Sequence, residues 1–367
     1  MPKLRFALIG VGSNVYGMHK YAHDLEPVEI AAVCDIREDP AQEIAAVYDC
    51  PYYLDYRKMI DETKPDVVVV MAPHSLHKEM TVYGLQAGSH VLCEKPMALD
   101  VQDADAMITA ARKTGKLLAI NFQHRLRGDI IAAREIIQSG ELGRIQHVDM
   151  KNTWLRTNIY YQSSDWKGRW NGEGGALLMN QSPHDLDLIC FLMGMPSSVY
   201  AWTPTVLHSI NAEDTAQAML RWENGAMGTF HSSTAETGQD QRFEIIGTKG
   251  HLSIKQGGQP VLRRFGTDVA EFIQTSDQAF GSPVIEETIV ETSDSQGNHR
   301  AVYENFCNAI LNGGPISADG PTSIRGLELA NAMIYSSHTG APVEFPLNRE
   351  KYAELLADLQ AKEAANV

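Results

Sequence analysis

The sequence predicts an α/β chain. Residues 1–123 form a doubly wound parallel sheet, and residues 124–367 form an α+β half with an open, mainly antiparallel sheet. Three observations predict this. The chain has 367 residues, and at ~150 residues per domain that length makes two domains. Up to residue 123, short apolar runs rich in Val and Ile alternate with amphipathic stretches, as they do when helices cover both faces of a parallel sheet. Beyond it, alternating apolar and polar residues flank tight-turn pairs, which is the pattern of hairpins.

The first half reads as strands at Leu4–Ile9, Glu29–Cys34, Asp66–Ala72, His90–Cys93 and Lys116–Phe122. Between them lie three helices. One is Asp39–Tyr48, with Asp39 as N-cap and Pro40 in the first helical position; the others are Leu76–Gln86, ended by Gly88, and Asp100–Lys113, ended by Gly115. The second half opens with a helix over Asp129–Gln138, closed by Gly140, and a strand over Arg144–Trp154. An aromatic loop, Arg156–Gly174, precedes a helix over Ala176–Met193. Thr215–Thr234 is a hairpin turning at Asn224-Gly225, and Arg242–Ile254 is a second one around Gly247 to Gly250. Residues 256–300 are polar and carry no assigned element. Helices return at Tyr303–Leu311, Ser323–Ser337 and Arg349–Glu363.

Composition excludes several classes. Lys and Arg total 31 against 46 Asp and Glu, a net charge of −15, which repels a phosphate backbone and argues against nucleic acid. Apolar residues make up 44%, enough for well-formed cores. No apolar run approaches the ~18–20 residues of a membrane span. Phe6–Ile9 runs straight into glycine with no cleavage site, so no secretory leader is expected. The five cysteines (Cys34, Cys50, Cys93, Cys190, Cys307) are scattered and form no C-x-x-C pair, which fits free thiols in a reducing cytoplasm.

The chemistry gathers at strand ends. The first strand runs into Gly10-Val11-Gly12-Ser13-Asn14-Val15-Tyr16-Gly17. A glycine turn there brings backbone N–H groups and a helix N-terminus to a pyrophosphate, the Rossmann arrangement, so Gly10, Gly12, Ser13, Asn14 and Val15 are candidate cofactor contacts. The fingerprint wants glycine at position 15; valine stands there and glycine follows at 17, so the loop reads as one residue longer. Asp35 ends the second strand, where a carboxylate accepts from both adenosine ribose hydroxyls and favours NAD. Arg37 can pair a 2′-phosphate and leaves NADP open as an alternative. Ala72, Pro73, His74 and His77 follow one strand, and Glu94, Lys95 and Pro96 follow another, where open α/β sheets place ligands. A lysine desolvated in such a cleft is suited to proton transfer; the plain alternative is an ion pair with Glu94. In the second half Asn180, His184 and Asp187 fall on one helical face at i, i+4 and i+7, which suits a site between the halves. His19 and His23, or His74 and His77, have metal-ligand spacing, but neither pair has a suitably spaced third ligand, and no metal is expected.

Taken in order, these pieces resemble the Gfo/Idh/MocA oxidoreductases over nearly the whole chain. Glu94-Lys95-Pro96 matches the family's E-K-P. Pro73-x-x-x-His77 matches its T-P-N-x-x-H, with Ala72 and His74 replacing threonine and asparagine. Gly10-x-Gly12 and His19 match the opening loop, Gly174-Gly175 through His184 matches the second-domain helix, and Glu328 to Ser337 with Thr339-Gly340 and Pro342-Val343 matches the closing helix and strand. The resemblance implies an NAD-dependent enzyme that moves hydride between nicotinamide and a secondary hydroxyl or ketone of a sugar, sugar derivative or cyclitol. It implies Lys95 as acid/base and His184 as hydrogen-bond partner of the same oxygen. The family usually has aspartate four residues before that histidine; here Asn180 cannot ionise and reads as a substrate-orienting group. Asp187, Arg125, Tyr161 and Trp166 are further substrate-binding candidates, since flat rings suit the C–H faces of sugars. An NAD-retaining glycosidase and a non-catalytic nicotinamide or sugar sensor are the rival readings. The expected substrate is a small neutral polyol or sugar, and family analogy implies a homodimer or homotetramer.

Overall fold

The computed structural model describes residues 2–239, 241–255 and 257–365. Its first sheet has six parallel strands: β1 (Leu4–Ile9), β2 (Val28–Cys34), β3 (Tyr52–Tyr53), β4 (Val67–Val70), β5 (His90–Cys93) and β6 (Leu118–Ile120). They lie in the order β3-β2-β1-β4-β5-β6. The chain winds outward both ways from β1, so the carboxyl ends of β1 and β4 diverge into a cleft, the usual ligand position in such sheets. The strands are apolar because both faces are covered; Val67 to Val70 are all fully buried.

The sequence reading missed β3 and the helix Tyr56–Thr63. A signal for the helix was present. Asp55 caps it, accepting from Arg57 N and Lys58 N, and Tyr56, Met59 and Ile60 bury one face at i, i+3 and i+4. The helix expected from Asp39 begins one residue earlier, as Glu38–Tyr48. Its N-cap is Arg37, with no side-chain cap, and Pro40 is tolerated because the first turn donates no intrahelical hydrogen bonds.

The second sheet has nine strands: β7 (Ile145–Thr153), β8 (Ser198–Trp202), β9 (Thr215–Arg221), β10 (Met227–Ser233), β11 (Arg242–Gly247), β12 (Gly250–Lys255), β13 (Val261–Phe265), β14 (Ile285–Ile289) and β15 (Val343–Glu344). Their order is β14-β13-β12-β11-β7-β10-β9-β8-β15, with β7 and β10 parallel and the remaining neighbours antiparallel. Both expected hairpins are present. The polar stretch after residue 256 supplies β13, β14 and a short helix, Val269–Thr275.

The helix expected over Ala176–Met193 is two elements. Leu177–Gln181 forms a π-helical turn closed by Ser182 N–H donating to Leu177 O at 2.8 Å, and an α-helix then runs from Pro183 to Met193. Pro183 has no N–H, so the ladder cannot pass through it. Asn180 and His184 therefore do not share one helical face. The helix His299–Asn312 returns to the first sheet and buries Val302, Tyr303, Phe306 and Cys307 against Leu4, Phe6 and Leu8; the Phe6 and Tyr303 rings stack at 5.6 Å. Residue 123 thus divides the two sheets, while residues well beyond it complete the first core. Among the described residues, no helix is long and apolar enough to cross a membrane.

Candidate active site

The turn after β1 is shaped for close approach. Gly10 has φ +88°, a conformation that side chains resist, and a Cβ there would lie 2.8 Å from Met71 O. Gly12 N–H donates to Asp35 Oδ2 at 2.7 Å, and Arg37 N–H donates to Asp35 Oδ1 at 3.0 Å. The carboxylate at the end of β2 therefore rests against the glycine turn. The Arg37 guanidinium lies over the same turn, donating to Gly12 O. Ser13 Oγ is buried with no partner, and Ile36 is 87% exposed beside Asp35. An orphaned hydroxyl and an open apolar side chain beside a carboxylate together fit a dinucleotide's pyrophosphate, adenine and ribose. Asn14 and Val15 complete the turn. The helix that follows is a single turn, Tyr16–His19, and continues as a 3₁₀ turn, Lys20–Ala22. Backbone of the loop, more than a long helix, therefore forms this cradle. The sequence reading passed over Ile36.

The loops after β4 and β5 are tied together. His77 is fully buried, with its nitrogens 2.8 Å from Ala72 O and from Pro96 O. It straps the two strand-end loops and faces no cleft, which corrects its expected role as a cofactor contact. Glu94 is likewise buried. Its Oε1 accepts from His19 Nε2 (2.8 Å), His299 Nε2 (3.3 Å) and Asn121 Nδ2, and its Oε2 accepts from Lys95 N–H at 3.1 Å. Burial pushes this carboxyl up, but the His19 and His299 donors outweigh it and hold it well below the usual range. The structure thus brings His19, Glu94 and His299 together, so the expectation that no third ligand joins a histidine fails at His19. His23 lies outside this cluster, its Nδ1 2.6 Å from the Tyr48 hydroxyl. The shared oxygen already takes three donors, so the cluster is a closed hydrogen-bond network.

Lys95 extends from β5 toward the second half, and its Nζ donates to Asn180 O at 2.9 Å. Desolvation pushes its pKa down, opposed by Glu94 and Glu173. His184 lies where the charge of Lys95 is felt. Its ring stacks on His124 at 4.2 Å, its Nδ1 has no partner, and burial keeps it well below the ordinary histidine range. The turn bearing Asn180 is pinned from below by Glu213, whose Oε1 accepts from Ala176 N (3.1 Å) and Leu178 N (2.9 Å). The Asn180 amide donates to Glu173 Oε1 and to the Tyr160 hydroxyl. His74 is buried in this same corner, its ring edge-on to Trp166 at 5.3 Å.

Three expected substrate contacts are placed elsewhere. Arg125 and Asp187 form a buried bidentate pair, only 2% and 1% exposed, and Arg125 also donates to Ser317 O and Thr322 Oγ1. Neither side chain is free for a substrate; the pair locks the Pro183–Met193 helix to the segment after β6. Tyr161 is a core ring, its hydroxyl 2.8 Å from Thr234 Oγ1. Tyr160 is the neighbour that reaches the Asn180 turn. A small cavity of about 60 Å³ lies beside His124, lined by Arg127, Lys151, Asn152, Asp185, Gln241 and Arg242. Asn152 Oδ1, Asp185 Oδ2 and Gln241 Oε1 are buried there without partners. Burial pushes Asp185 up to about 7. None of these residues was singled out from the sequence, because β7, β11 and the 183–193 helix meet only in the fold.

Residues 4–122 match an oxidoreductase family with an NAD-binding Rossmann fold, and residues 130–253 match the GFO/IDH/MocA C-terminal domain. The chain is 33% identical over 247 residues to D-glucoside 3-dehydrogenase of Escherichia coli, covering 66% of each, just under two thirds of that enzyme's length. It is 25% identical over 343 residues to inositol 2-dehydrogenase of Rhizobium meliloti, covering 91% of this chain and 96% of that one. The WlbA dehydrogenase from Bordetella pertussis, solved in complex with NADH and UDP-GlcNAcA, superposes with a TM-score of 0.80 at 28% identity, covering 95% of this chain and 99% of that one.

Proposed function

The chain belongs to the Gfo/Idh/MocA family of NAD-binding oxidoreductases, and from that premise we propose that it moves hydride between nicotinamide and a secondary hydroxyl or ketone of a neutral sugar, sugar derivative or cyclitol. The observation that carries this is Lys95: a partly buried ammonium at the end of β5, held by Asn180 O and close to a histidine with a free nitrogen. When bound, NAD supplies the hydride acceptor. Gly10, Gly12, Ser13 and the loop through Val15 would hold its pyrophosphate, and Asp35 its ribose; the carboxylate repels a 2′-phosphate and so favours NAD over NADP.

Desolvation disfavours the ammonium of Lys95, so the neutral amine is accessible to take the substrate hydroxyl proton during oxidation and to return it during reduction. His184 hydrogen-bonds the same oxygen and, staying neutral, offers one donor and one acceptor. Asn180 keeps Nζ aimed through its carbonyl. The rest of the substrate enters the cavity beside His124, where Asn152 Oδ1 and Gln241 Oε1 accept from hydroxyls. Arg127 is paired with Asp129 and Arg242 with Asp149, so neither guanidinium is left to select an anion. Trp202, Met219 and Met227 are exposed on the outer face of the second sheet and support pairing of subunits there.

The test is a screen of polyols, aldoses and glycosides with NAD and with NADP, read by nicotinamide absorbance. Reduction of NAD by one of these classes is expected. Bound NAD with no oxidation of any of them would overturn the reading.

A further inference from the structure

Glu173 ends the short helix Trp170–Glu173 and is 1% exposed. Its Oε2 accepts from Gly168 N–H at 2.6 Å, and its Oε1 accepts from the Asn180 amide. Asn180 O in turn holds Lys95 Nζ at 2.9 Å. The backbone of Glu173 is also hydrogen-bonded to His74. One acidic residue of the second half thus reaches both strand-end loops of the first: His74 through its own backbone, and Lys95 through Asn180. No guanidinium or ammonium touches its carboxyl among the hydrogen bonds and ion pairs of the described residues. Burying such a group unpaired is costly, and nothing in the reaction described above uses it.

We propose that Glu173 is a positioning residue for proton transfer: it fixes the Asn180 peptide that aims Lys95, and the charge it gains on losing its own proton strengthens the hold of Lys95 on its proton. This rests on the reading of Lys95 as the acid/base. Burial pushes Glu173 up to about 8, while desolvation pushes Lys95 down, with Glu94 and Glu173 opposing that fall. Each group in its charged form therefore favours the charged form of the other. The other groups facing Glu173 are His74 from the loop after β4, Lys167, Tyr160 and Tyr161 from the aromatic segment, and Glu213 from the segment before β9. None of these is hydrogen-bonded to the Asn180 carbonyl, which Lys95 holds. With Glu173 neutral, Lys95 sheds its proton readily. As Glu173 ionises, Lys95 retains its proton more tightly, so its deprotonation spreads over a wider pH range than a lone amine shows.

The test is pulsed acetylation with acetic anhydride across the pH range, with the Lys95 peptide quantified by mass spectrometry in the full-length protein. Glu173→Gln keeps the shape of the side chain and removes the charge. It is expected to lower the Lys95 midpoint by about one pH unit. Adding Asn180→Asp to that variant returns a carboxylate beside the ammonium and is expected to move the midpoint back up. The wild-type curve is expected to be broader than a single titration. Equal midpoints in the wild type and Glu173→Gln overturn the proposal; so does a wild-type curve that follows one simple titration, which decides the matter even where the variant fails to fold. Acetylation needs no substrate. A chain that oxidises no sugar would sink the dehydrogenase reading and leave this coupling standing.

Discussion

The two halves of the site solve the same problem with opposite chemistry. In the first half the buried ionisable groups are mostly histidines: His19, His23, His74 and His77 are all held below their ordinary range by burial. In the second half, beside the depressed His124 and His184, raised carboxyls appear: Glu173, Asp185 and Glu213 are pushed up to about 8, 7 and 7, again by burial. Both sets are favoured neutral, histidines by losing a proton and carboxyls by keeping one. The histidines sit between consecutive strand ends, as His77 does between Ala72 O and Pro96 O, donating to one of the two while neutral. The carboxyls hold irregular backbone in place, as Glu213 does under Ala176 and Leu178. The difference teaches that the first half supplies a preformed frame, and the second bends a non-helical segment onto it.

That asymmetry puts the chemistry on the first half. Lys95→Ala is expected to lower kcat by about a thousandfold or more and to leave NADH affinity, measured by fluorescence quenching, within about twofold, because the cradle around Gly10, Gly12 and Asp35 is independent of it. A comparable loss of affinity would place Lys95 in the frame and remove it from the chemistry. The second half should answer to its buried ion pair in stability. Asp187→Ala leaves the Arg125 guanidinium buried at 2% exposure with its main partner gone, a loss of about 3–5 kcal/mol read as a lower urea midpoint. A loss under about 1 kcal/mol would mean that the Ser317 and Thr322 contacts suffice.

The opposite signs of the two sets give a pH dependence. A depressed histidine contributes stability above its unfolded pKa of about 6.5 and loses it as pH falls; His23 and His124, both pushed down to about 4, act this way. A raised carboxyl contributes stability below its unfolded pKa and loses it as pH rises through the folded value. Glu173, Asp185 and Glu213 lose theirs by pH 8. Below about pH 6.5 the two limbs oppose each other; above it the histidines change no further, and stability should fall by roughly 2–3 kcal/mol by pH 8. Glu173→Gln should make that fall shallower. Thermal unfolding across pH reads both limbs, and a curve still rising at pH 8 would sink the carboxyl half of this account.

The same contrast explains what was legible in the sequence. Strands β1, β2, β4 and β5 are largely apolar runs whose carboxyl ends face the cleft, so Gly10, Asp35, His74 and Lys95 stand out as candidates by position. The resemblance to a known family reinforced them through Glu94-Lys95-Pro96. Asn180 and His184 were found, but on a helix that Pro183 forbids. Glu213 was missed because its targets are backbone N–H groups at a π-helical turn, and Glu173 because one of its two partners, the Asn180 amide, is carried by that turn; no periodicity announces such a turn. Arg125 and Asp187 were misread because a charged residue near a cleft looks the same in sequence whether it faces substrate or another charge. His299 was missed because its helix crosses from the far end of the chain to reach Glu94.

The smallest expected effect tests whether the frame is as rigid as its hydrogen bonds suggest. A Cβ on Gly12 would lie 2.2 Å from Arg37 Nη2 and 2.8 Å from Asp35 Oδ2. The guanidinium is the far end of a flexible, exposed chain and can swing away. The carboxylate cannot move as easily, since Gly12 N–H and Arg37 N–H hold its two oxygens. Gly12→Ala should therefore displace the group proposed to hold the ribose while leaving Lys95 and His184 untouched. The expected result is a weakening of NAD binding by about tenfold, near 1.4 kcal/mol, with kcat at saturating NAD changed less than about twofold. If kcat falls as far as the affinity, the cradle and the proton-transfer group are mechanically coupled, and the first half is a single lever and not a fixed frame.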